Sequence, residues 1–130
     1  MRRLIPILAV VAVIIIGLGA WFGLRFNQMR KVMLAAPTAD VDLSNLPDGN
    51  YEGKFGDFLV TARVRVKVVD HRITAIELID QHCGPGYEAK ATLDRIVAAQ
   101  SPQVDVVSGA TGSSRCLMAA VHRALTAGQN

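Results

Sequence analysis

The residues of this chain that could do chemistry are concentrated in one stretch, VDVVSGATGSS, at residues 104–114. It offers four hydroxyls, Ser108, Thr111, Ser113 and Ser114, set among glycine and alanine. Ser113 or Ser114 is expected to cap a following helix by accepting from its first N–H groups. Capping does not account for Gly109 and Ala110 ahead of Thr111. Small neighbours there leave the Thr111 hydroxyl open to a bulky group. A helix start just downstream favours an anion, through its free N–H groups and its dipole. Taken alone, the stretch reads as a candidate phosphate site.

The other reactive side chains form no constellation. His71 falls in an expected hairpin turn, where solvent exposure accounts for it. His82 and Cys83 are adjacent in an expected loop. Cys116 and His122 are six apart on an expected helix, which turns them away from one another. No C-x-x-C or H-x-x-x-H spacing occurs, so no metal site is expected. No base is paired with a thiol as a cysteine hydrolase requires. The acids are scattered, without the paired spacing of glycosidase chemistry. The glycines of CGPGYEAK match neither the phosphate-loop pattern nor G-x-G-x-x-G. They read as a strand-to-helix loop, over which Tyr87 could cover a flat ligand. No catalytic residue is assigned, and the spacing of Cys83 and Cys116 leaves both a disulfide and two free thiols open.

The elements that must position Thr111 are legible from periodicity. Pro47, Asp48 and Gly49 mark a turn. YEGKF then gives a first, short strand. Val60, Ala62, Val64, Val66 and Val68 alternate with Thr61, Arg63, Arg65 and Lys67, the period of a half-buried strand. Asp70, His71 and Arg72 break it, and ITAIELID completes a hairpin. From Glu88 the period becomes helical, with Leu93, Ile96, Val97 and Gln100 on one face and Ser101-Pro102 at its end. VDVV is a short strand or extended piece. A last helix is expected from Ser113 or Ser114, with Leu117, Val121, Ala124 and Leu125 inward and Gly128 at its end. The fold class is therefore α+β, a small antiparallel sheet with two helices.

One N-terminal transmembrane helix is expected to precede that domain. No residue from Leu4 to Leu24 is charged, and as a helix this run reaches roughly 30 Å, a bilayer's hydrocarbon thickness. Trp21 and Phe22 stand where an aromatic belt belongs. The run exceeds the h-region of a cleaved signal, and its small-x-small pattern lies inside the apolar stretch, so an uncleaved anchor is favoured. Arg2 and Arg3 on one side, and Arg25, Arg30 and Lys31 on the other, leave the orientation open. The expected organisation is an anchor with its flanks at 1–31, a linker at 32–46 and a domain at 47–130. The helix is expected to run on past Lys31, with Pro37 as its stop. The formal charge of +3 belongs to the flanks: five of the fourteen basic residues lie there, and all eleven acids follow residue 39. Nucleic acid is therefore not an expected partner.

Several of these segments together resemble the FMN-binding domain family, known from the C subunit of the sodium-translocating NADH:quinone reductase and the G subunit of the Rnf complex. They are DGNYEG, VRVKVVDHRITAIEL, GPGYEA, IVAAQS and VDVVSGATGSS with AAVHRAL, spanning about residues 46–127. The chain is similar to the family's small membrane-anchored members. Its most specific element, DVVSGAT, is similar to the family's Asp-x-x-Ser-Gly-Ala-Thr flavinylation motif. The resemblance implies that Thr111 is esterified to the phosphate of FMN, and that Asp105, Ser108, Gly109 and Ala110 are the recognition sequence around it. It implies an FAD:protein FMN transferase as partner, with FAD as donor and AMP leaving. It also implies an extracytoplasmic domain that carries electrons between redox partner proteins, rather than a stand-alone enzyme. A non-covalent FMN protein or reductase, and a membrane-tethered interaction domain without flavin, are the alternatives. Gly112 departs from the family, whose members usually carry a larger residue there.

Overall fold

A computed structural model describes residues 4–129 of the chain. Arg2 and Arg3, the basic flank ahead of the apolar run, lie outside them. In chain order the elements are helix α1 (Leu4–Leu34), strands β1 (Gly49–Asp57), β2 (Val60–Val69) and β3 (Arg72–His82), and helices α2 (Ala91–Ala99) and α3 (Thr111–Gly128). This is the α+β arrangement expected: a three-stranded antiparallel sheet, two helices beside it and one long apolar helix before it.

Each strand pair is a tight hairpin. Asp57 pairs with Val60 and Val69 with Arg72, so each turn has two residues. At the second turn Asp70 and His71 both have positive φ, 50° and 59°. That is the backbone of a type I′ turn, whose twist matches the strands it joins. The alternation in β2 is realised as read. Val64, Val66 and Val68 are fully buried on the inner face. On the outer face Glu52 accepts from Arg63 and Arg65, and Arg65 also pairs with Glu77, linking all three strands. These hydrogen bonds from Arg65 and Arg63 hold the Glu52 carboxyl below its ordinary range.

Helix α3 packs on β1 and β2 through the stripe Leu117, Val121, Ala124 and Leu125, all fully buried. The approach is close at Gly53, where a Cβ would collide with the carbonyl oxygen of Ala120 and the backbone nitrogen of Ala124. Gly53 is therefore required by backbone contact between strand and helix. Helix α2 starts at Ala91, later than its periodicity predicts, because Ala89 takes a positive φ of 51° that interrupts the helical run. Leu93 and Ile96 point into the core. Gln100, just past its end, donates to the Ile73 carbonyl and accepts from the Ile73 N–H, pairing the free edge of β3 at the start of that strand. VDVV forms no strand.

Helix α1 is long and apolar enough to cross a membrane, and its apolar half is exposed. Its other half is packed. Met29 and Met33 are buried, and Ala36, Val41 and Leu46 beyond the helix join the core under the sheet. The connection is held by polar contacts as well. The His71 ring lies 3.2 Å from the carbonyls of both Leu43 and Leu46, and Asp48 accepts from the Asp70 N–H at 2.8 Å.

Candidate functional site

Helix α3 begins at Thr111, earlier than the hydroxyl pattern predicts. Ala110 occupies the cap position, with φ −129° and no side-chain cap. Ser113 and Ser114 lie inside the helix and are buried, so neither is the N-cap. The Ser114 hydroxyl accepts from the Val107 N–H at 2.9 Å and donates to the Ala110 carbonyl at 2.8 Å. It faces back into the preceding turn instead of forward onto free helical N–H groups.

That turn is itself closed by the Ala110 N–H donating to the Val107 carbonyl at 3.0 Å. Gly109, third in the turn, has φ +79°, the value a type II turn needs and glycine adopts without strain. Ser114 thus pins residues 107–110 to the first turn of α3. Thr111 is left exposed at the head of the helix, beside N–H groups that no intrahelical carbonyl can reach.

Two cavities flank the stretch, and they divide its residues. Thr111, Gly109 and Gly112 line a cavity of about 550 Å³ together with Val60, Arg115 and residues of α1. Asp105 and Ser108 line a second cavity, of about 950 Å³, with Arg95 and Gln103. Arg95 shapes that cavity by donating to the carbonyls of Asp105 (2.9 Å) and Val106 (3.1 Å). Ala110 is buried between turn and helix and opens to neither. Gly112 has open space around the position of a Cβ, so the glycine widens the mouth beside Thr111. Tyr87 is 54 % exposed and packs beside Gly84, away from the lining of the Thr111 cavity.

Arg115 is the residue that sequence reading missed. It stands four residues after Thr111, hence on the same helical face. Its Nη1 donates to the Leu34 carbonyl at 3.2 Å, and its Nε is buried without a partner among the described residues. A helix beginning at Thr111 would have made the i, i+4 relation visible; a start two residues later hides it. Arg30, Met33 and Phe26 also line the cavity, and nothing in their local sequence marks them.

The two cysteines are free thiols. Cys116 is fully buried and donates to the Phe55 carbonyl at 3.2 Å. Burial, reinforced by the nearby Cys83, pushes its thiol up to about 12. Cys83 is also raised, by burial and then by the Glu88 carboxylate, against a hydrogen bond to Ser113 that opposes the shift. Both are protonated at neutral pH and are poor nucleophiles there.

Among known proteins, the family model described as an FMN-binding domain matches residues 60–126, slightly more than half of the chain. The matched span runs from the start of β2 almost to the end of α3 and includes the Thr111 turn. No curated protein matches the chain.

Proposed function

Since the chain belongs to the FMN-binding domain family, with FMN as its cofactor, we propose that it is a membrane-anchored electron carrier holding that flavin through a phosphoester to Thr111. The observation that carries this reading is the placement of Thr111. Its hydroxyl is exposed at a helix N-terminus, on a cavity that also holds two arginines, Arg30 and Arg115.

The residues present fit the group. The cavity falls within the roughly 300–1,000 Å³ of small-molecule sites. The buried Arg115 Nε, without a partner among the described residues, suits a phosphate oxygen. The first N–H groups of α3 favour the same negative charge.

Attachment needs a transferase, because a threonine hydroxyl is a weak nucleophile on its own. In the proposed step Thr111 Oγ bonds to the FMN-side phosphorus of FAD. The phosphoanhydride bond to the AMP portion breaks, AMP leaves with its electron pair, and the hydroxyl proton passes to a base of the transferase. No oxidation state changes. The ester retains one negative charge, which Arg115 and the helix start would hold. When bound, FMN supplies one- and two-electron transfer. The chain's own part is to retain it, orient it and limit its exposure to water.

The length and exposure of the apolar half of α1 support a membrane anchor. We place the domain on the extracytoplasmic side. Protease added to intact spheroplasts should remove the domain, and full protection would refute that placement.

Co-expression with an FMN transferase tests the attachment. A band fluorescent under ultraviolet light after denaturing electrophoresis, with a matching mass increase, is expected, and Thr111→Ala should abolish both. An unmodified mass beside a flavinylated control protein would overturn the reading. Yellow colour lost on denaturation would point instead to non-covalent FMN.

A further inference from the structure

We infer that the part of α1 beyond the apolar run, residues 26–34, is a wall of the flavin site and not merely a tether. The inference rests on FMN attachment at Thr111. It is carried by the lining of the Thr111 cavity, in which Phe26, Met29, Arg30 and Met33 of α1 face Thr111 and Arg115 of α3.

This wall is fixed to the domain at both ends. At the lower end Arg25 pairs with Asp57 at 3.4 Å, and its guanidinium lies 5.2 Å from the centre of the Phe58 ring. Phe58 sits at the tip of the β1–β2 hairpin and meets Trp21 and Phe22 edge-on, with ring centres 6.0 and 5.6 Å apart. At the upper end Arg115 holds the Leu34 carbonyl. Between them Met29 and Met33 are 6 % and 3 % exposed. A helix held in this way keeps one face toward Thr111.

The chemistry of the two cavities assigns the ring system to this one. Thr111 opens into it and not into the neighbouring cavity. An aromatic ring system is bound mainly by apolar and aromatic side chains. Phe26 offers an aromatic surface, and methionine sulfur makes favourable contacts with rings. The neighbouring cavity presents Arg95, Gln103, Asp105 and Ser108 instead. Arg30 adds a second positive charge on the side of the ligand facing α1.

The test uses the full chain, flavinylated by co-expressed transferase and purified in detergent. The readout is quenching of flavin fluorescence by acrylamide, which is neutral and so indifferent to the arginines. Phe26→Ser and Arg30→Gln both alter exposed side chains of α1, so folding should survive. Quenching is read on the flavinylated fraction of each variant, with the adduct verified by mass. Opening one wall of a pocket that covers most of its ligand should raise the quenching constant about twofold. Ile79→Ser, on the exposed face of β3, should leave it unchanged. Adducts with equal quenching in wild type and both α1 variants would overturn the inference alone. Absence of the adduct in the wild-type chain, beside a flavinylated control, would overturn attachment at Thr111 and this inference with it.

Discussion

The Arg115 guanidinium donates to the Leu34 carbonyl across 3.2 Å, joining the first turns of α3 to the last turn of α1 although 81 residues separate the two in sequence. A cation at a helix C-terminus satisfies a carbonyl left free by the helix geometry and complements the dipole. The same contact holds Arg115 beside Thr111. Arg115→Ala should therefore cost about 1 kcal/mol of domain stability, with Arg115→Lys recovering part of it. Urea denaturation of the full chain in detergent, followed by far-ultraviolet circular dichroism, measures both.

Ser114 ties the Thr111 turn to its helix, so Ser114→Ala leaves the Val107 N–H without its partner. Losing the acceptor of a partly buried donor costs about 1–3 kcal/mol. Because the loosened turn presents Thr111, the rate of flavinylation should fall as well. A time course of the fluorescent band under limiting transferase would show it, and an unchanged rate would mean the turn is rigid without Ser114.

Gly53→Ala drives a methyl group into the backbone of α3 at Ala120 and Ala124. Neither partner is a flexible side chain, so the helix itself must move. A loss of about 1–3 kcal/mol or more is expected, read as a fall in the urea midpoint. The neighbouring Lys54→Ala is exposed and should change it little.

His122 responds to pH. Burial, then the adjacent Arg123, lowers its folded pKa below the ordinary 6.5, and its Nδ1 is buried without a partner among the described residues. The unfolded chain therefore takes up the proton first. The stability this neutral ring contributes is complete above about pH 6.5 and is lost as pH falls through the lower, folded value. Melting temperatures followed from about pH 7.5 down to about pH 5 should decline more steeply in the wild type than in His122→Gln. Parallel curves would show that the ring titrates alike in both states.

The thiols separate by accessibility. Cys83 is partly exposed, whereas Cys116 is fully buried with its pKa pushed up to about 12. Maleimide should modify Cys83 in the native protein, and Cys116 more slowly by at least ~100-fold until the chain unfolds. Peptide mass mapping of native and denatured samples distinguishes the two sites.

Much of the fold is written locally. The alternation of Val60 to Val68 defines β2 because a strand has period two. The Asp70-His71 break admits a two-residue turn, and the stripe from Leu117 to Leu125 buries one helical face. The uncharged run from Leu4 to Leu24 reads as a long apolar helix, and the small residues Gly109 and Ala110 mark Thr111 as an open hydroxyl before a helix start. Each of these signals lies within a single element or a single turn, so the sequence alone carries it.

The tertiary structure decided what surrounds Thr111. Ser114 bonds back to Val107 instead of capping α3, because the turn packs beneath the helix start. Residues 32–46 include Met33, Ala36, Val41 and Leu46 in the core. Phe26, Arg30 and Met33 reach the cavity only because α1 continues past its apolar run and docks on α3. Such placements depend on packing between segments some 80 residues apart. No local period records that distance, since it is set by burial of the methionines and by the ties from Arg25 and Arg115.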